Sequence, residues 1–117
     1  MSRQIGGTFA SFTAAGALVA FTRVKLTTGG KVTNAGSEER AIGIVQEAAA
    51  ADGDIVSVKL INAGGTFKVV AADAITQSAA VYASASGKVD NAGTLVMGWA
   101  LEASTADGDV IECFLTD

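Results

Sequence analysis

Apolar and polar positions alternate in two short stretches of this chain. Between Ile55 and Ile61, Val56, Val58 and Leu60 fall on one face, and Ser57 and Lys59 on the other. Further on, Ile111, Cys113 and Leu115 take matching positions, opposite Glu112 and Thr116. A period of two predicts half-buried β-strands. An apolar run with one small residue precedes each strand: Ala41 to Glu47 with Gly43, and Val96 to Glu102 with Gly98. Asp52-Gly53 and Asp107-Gly108 lie between run and strand and predict hairpin turns, because glycine takes a positive φ at little cost. Asn34-Ala35-Gly36 and Asn91-Ala92-Gly93 predict turns for the same reason. Gly64-Gly65 opens a further strand over Thr66 to Ala71. Ala48–Ala51 and Ala71–Ala74 leave room for a short helical turn, though neither run is long enough for a stable helix alone.

These features recur in order. Gly30-Lys31-Val32-Thr33-Asn34-Ala35-Gly36 returns as Gly87-Lys88-Val89-Asp90-Asn91-Ala92-Gly93, and the stretch from Ile42 to Ile61 returns from Met97 to Thr116. Leu18 matches Ile75, and Val24-Lys25 matches Val81-Tyr82. Two halves, 16–61 and 73–116, are joined by a connector over 62–72. Two copies are too few for a solenoid. With strands every 8–12 residues between turn signals, they predict one all-β domain over 1–117, a small β-barrel or β-sandwich.

Ahead of the repeat, Ile5 to Phe21 carries no charge. Its three glycines and its Thr and Ser residues dilute the apolar centre that a signal peptide needs. The stretch is also too short and too polar for a membrane helix. An extended N-terminal arm over 1–15 fits better, with Phe9 and Phe12 as anchors against the body or a partner, since untethered termini are usually poorly ordered. Deleting residues 1–12 is then expected to leave a folded body with weakened attachment.

Composition narrows the function. The 117 residues hold 8 Lys+Arg against 12 Asp+Glu, a net charge of −4. Nucleic acid is therefore not expected as a partner, since phosphate contacts need clustered cations. There is no His and only one Cys. That excludes a His-dependent nucleophile, a Cys/His zinc site and an internal disulfide. Alanine supplies 23 of the residues. The core is thus thinner than the 50% hydrophobic content suggests, and such a chain gains from burying surface against a partner.

The candidate chemistry is thin as well. Asp52-Gly53-Asp54 and Asp107-Gly108-Asp109 could offer calcium ligands, but a calcium site wants 6–8 oxygens and turn chemistry alone explains both motifs. Glu47 and Glu102 hold equivalent positions; a carboxylate hydrolase would need them in one cleft, and solvated strand ends are the simpler reading. Neither Gly29-Gly30-Lys31-Val32 nor Gly87-Lys88-Val89 completes a phosphate-binding loop. Cys113 aligns with Val58 and reads as a small core residue. Trp99 aligns with Ile44 and reads as core or as an interface anchor. No catalytic residue, cofactor or metal is assigned.

The order of motifs resembles a known family. Val24-Lys25-Leu26, Gly-Lys-Val with Asn-Ala-Gly, Ala-Ile-Gly-Ile-Val-Gln-Glu-Ala, Ala-Asp-Gly-Asp and Val-Ser-Val-Lys-Leu are similar, over roughly residues 16–116, to the decoration (cement) proteins of tailed-phage capsids. The resemblance implies a β-rich structural protein, not an enzyme, on the outer capsid surface of a virion. Its partner would be the major capsid protein, and its state a homo-oligomer, with a trimer favoured. It also implies, by position alone, a capsid-binding arm with Arg3, Gln4, Ile5, Phe9 and Phe12, and Trp99 is the candidate for the oligomer interface. The alternative is a β-sandwich adhesin or carbohydrate-binding module, for which Trp99 and Tyr82 are the only Trp and Tyr.

Overall fold

The computed structural model describes residues 9–61 and 65–115. Ten strands follow in order: β1 Phe9–Thr13, β2 Arg23–Leu26, β3 Val32–Asn34, β4 Gly43–Val45, β5 Ile55–Leu60, β6 Phe67–Val70, β7 Ala80–Ala83, β8 Val89–Asp90, β9 Val96–Ala100 and β10 Val110–Leu115. They form two five-stranded antiparallel sheets, β1-β5-β4-β2-β3 and β6-β10-β9-β7-β8. Adding five to each strand number of the first order gives the second. Parallel bridges from Ala14 to Val32 and from Ala71 to Val89 curl each sheet back on itself. The fold is thus all-β and built from two repeats, as the motifs predict.

The repeat reaches further upstream than the matching motifs. β1 falls within the stretch read as an arm, and β6 within the connector. Yet Phe12 lies opposite Val56 as Val69 lies opposite Ile111. β1 and β6 are the same strand of two copies, and the folded repeats run from Phe9 to Leu60 and from Phe67 to Leu115. The Ala-rich runs are not helical. Ala49 exchanges backbone bonds with Leu18, and the Ala71 N–H donates to the Asp109 carbonyl, so β-type pairing claims them. The short helical turn lies instead at Ala85–Gly87.

Each lobe has its own apolar core. Val24, Val32, Val45, Val56 and Val58 centre the first. Phe67, Val69, Val81, Met97, Ile111 and Cys113 centre the second. Burial, with Glu102 and Glu112 nearby, pushes the Cys113 thiol up to about 12, so it is a core residue and no nucleophile. Gly43 and Gly98 permit the tight β4–β5 and β9–β10 crossings. A Cβ there would stand 2.3 Å from the Lys59 carbonyl oxygen and 1.8 Å from that of Phe114.

The lobes are joined through side chains of the first that enter the second. Ile44 belongs to the second core and Phe21 packs against it. Between them Arg23 is fully buried. Its guanidinium donates to the carbonyls of Ala35, Gly36 and Glu39 in the first lobe, and to Ser84 at 2.6 Å and Lys88 at 3.1 Å in the second. Desolvation lowers its pKa to about 10, against the pull of Glu39, so it stays charged at neutral pH. Gly87 completes the seam: its N–H donates to the Ala35 carbonyl, and a Cβ would meet the Arg23 carbonyl oxygen at 2.6 Å.

Candidate functional site

The carboxylates shared by the two repeats are occupied by the fold. Asp52 pairs with Lys31 and Asp107 with Lys88, each at 2.7 Å, fastening the hairpin turn to the Gly-Lys-Val segment. Asp54 Oδ2 accepts the N–H groups of Ala50 and Ala51. Asp109 Oδ2 accepts those of Thr105 and Ala106 and the Thr105 hydroxyl. These bonds, the Thr105 N–H first, hold the Asp109 carboxyl below its ordinary range. Glu47 accepts the Ser57 N–H and Glu102 the Glu112 N–H, one within each lobe. Among the described residues, no group of three or more His, Cys, Asp and Glu side chains could hold a metal ion.

Large apolar side chains also stand exposed. Phe9, Leu26 and Ile55 are exposed on the first lobe, and Val96, Trp99, Val110 and Phe114 on the second. Phe9 stands opposite Lys59 on the outer face of the first sheet. Phe12 points the other way and packs against the first core. β1 is therefore a structural strand, and the deletion expected to spare the body must stop short of Phe9. Arg3, Gln4 and Ile5 lie outside the described residues. A groove of about 430 Å3 opens beside β1, lined by Ser11, Phe12, Thr13, Leu26, Gly30 and Ile55.

Trp99 is not in the core. It lies on the outer face of β9, 43% exposed, stacked on its cross-strand neighbour Phe114 with centroids 5.0 Å apart and planes 19° off parallel. Phe114 was not singled out from sequence, although the alternation of β10 marks it as outward-facing and large.

Two thin lobes, carboxylates engaged within the fold and exposed apolar patches describe a surface suited to binding. Residues 61–115 match the family model of the phage cement protein. The second lobe belongs to the phage cement family. That match makes the chain a phage capsid-associated structural protein, at the outer capsid surface of the virion. The solved structure of the head fiber gp8.5 N base of bacteriophage phi29 is similar, with a TM-score of 0.78 and 16% sequence identity. The match covers 92% of this chain and 94% of that one, and it is a likeness of fold. No curated protein sequence matches the chain.

Proposed function

We propose that this cement-type chain decorates the outside of a phage head and clamps neighbouring major capsid subunits, acting as a structural homo-oligomer, with a trimer favoured, and not as an enzyme. The family match over the second lobe carries the reading. The physics supports it. Each lobe is too small to hold a large core, so contact with a shell adds burial that the isolated chain lacks. Many weak copies on one particle add up through multivalency, and a trimer suits a threefold site on a shell. In this reading Arg3, Gln4, Ile5 and Phe9 make the capsid contact, while Phe12 anchors β1 to the body.

The test is a copy count of the chain in purified particles, by quantitative mass spectrometry. A number comparable to the major capsid protein is expected, and a number near zero would remove the role. Removing residues 1–8 is expected to weaken attachment to the shell without lowering the unfolding temperature. Removing residues 1–13 strips β1 from β5 and is expected to cost the first lobe its fold, which circular dichroism would read.

A further inference from the structure

We infer that the Trp99–Phe114 face of one molecule docks into the groove beside β1 of a second copy of this chain, repeating between molecules the contact that joins the two lobes within one. The proposal gives a contact to the homo-oligomer proposed above and does not depend on the shell.

The lobes of one chain meet front to back. The front of the first lobe presents Phe21, Arg23 and Ile44, with Lys59 at its side. The back of the second receives them. The Val70 N–H donates to the Phe21 carbonyl at 2.9 Å, Gly87 closes on Arg23, and the Lys59 ammonium lies 4.5 Å from the centroid of the Phe67 ring. The two surfaces differ, so the contact is heterologous. Because both lobes share one fold, each also carries a counterpart of the surface that the other uses.

Both counterparts are open. The second lobe's front has Ser78 and Ala80 where the first has Phe21 and Arg23, Trp99 where it has Ile44, and Phe114 where it has Lys59. The first lobe's back has Thr13, Leu26 and Gly30 where the second has Val70, Ala83 and Gly87. Ile44 is fully buried, yet Trp99 is 43% exposed; Ala83 is 2% exposed, yet Leu26 is 49%.

The residue changes between the copies are not neutral. On the open faces Trp replaces Ile, Phe replaces Lys and Leu replaces Ala. At these three positions the open faces carry the larger apolar side chains, where an isolated monomer would pay for them in solubility. Ser78 and Ala80 are small, and Ala80 is the cross-strand neighbour of Trp99, so the front stays clear around the indole. A buried aromatic seated in an apolar groove is the usual anchor of a protein contact. One such front and one such back per chain give a head-to-tail arrangement, a ring where the rotation closes and a filament where it does not.

A complementation experiment tests this. Trp99→Asp disables the front, and Leu26→Asp disables the back. Both side chains are exposed, so both variants should keep the wild-type circular dichroism; Trp99→Gln and Ile55→Gln serve if either does not. In sedimentation across a concentration series, the wild-type chain is expected to associate and each variant to stay monomeric. An equimolar mixture of the two variants should form a one-to-one dimer that grows no further, since one intact front meets one intact back. A mixture that remains monomeric would overturn the head-to-tail contact, as would a wild-type chain that never associates. Chains that assemble in solution yet are absent from particles would instead sink the capsid role and leave this contact standing.

Discussion

Arg23 is held by carbonyl oxygens alone, three from one lobe and two from the other. A planar guanidinium can serve five acceptors in fixed directions, and an ammonium cannot. Replacing Arg23 by Met is expected to leave those carbonyls unpaired and to cost about 3 kcal/mol, the scale of lost hydrogen bonds to a charged group. Arg23→Lys should recover little of it. Urea denaturation of the two variants reads both effects, and a near-neutral Arg23→Met would show that water replaces the guanidinium. Nothing in the sequence marks this residue. It sits in a short strand among Thr22 and Lys25, its counterpart in the second half is Ala80, and a lone arginine on a mixed-polarity strand looks like surface. The repeated motifs draw attention to what the halves share, whereas the seam is made by what they do not share.

The hairpins were legible because each carries a two-residue alternation and an Asp-Gly turn. β6 was legible as a strand after Gly64-Gly65, but β1 was not, and neither was the equivalence of the two. β1 reads Phe-Ala-Ser-Phe-Thr and β6 reads Phe-Lys-Val-Val, and only their pairing with β5 and β10 shows them to be equivalent. For Phe12, a place in the first core was unreadable for the same reason. The turn of the second hairpin and the Gly36–Glu39 turn of the first lobe carry an acid dependence. The lowered pKa values of Asp109, from the Thr105 and Ala106 donors, and of Glu39, from Lys25 and then the Gly36 N–H, mean that each favours the fold when ionised. That contribution is full above the ordinary carboxylate range, near pH 4, and is lost as pH falls through the lower folded values. Asp109→Ala should flatten the fall in thermal stability seen below pH 4; an unchanged profile would mean that the turn holds without the carboxylate. At the β4–β5 crossing, Gly43→Ala places a methyl against backbone and should cost at least about 3 kcal/mol, as overpacking with no room to relax does. A loss well under 1 kcal/mol would show that the strands can part.

The molecule extends 42 × 27 × 22 Å, two lobes laid end to end with unequal dependence on each other. The first keeps a core of its own residues, while the second borrows Ile44 and the cover of Phe21. Expressed alone, residues 65–117 should therefore be the weaker fragment, binding a hydrophobic dye and lacking a cooperative thermal transition. A sharp transition would show that the borrowed side chains are dispensable. Function at this scale was readable from motif order, which pointed to the decoration proteins, but the surfaces were not. Trp99 could be placed in a core or at an interface with equal reason until the sheet turned it outward onto Phe114.

Each sheet is drawn wholly from one half of the chain, in the same strand order. The consequence is one of ancestry. A five-stranded unit whose strand pairs are all its own can be duplicated and fused without rewiring a single one of them. Once fused, the two copies were released from being identical. One front could carry an arginine for its permanent neighbour, while the other was free to carry a tryptophan at its surface.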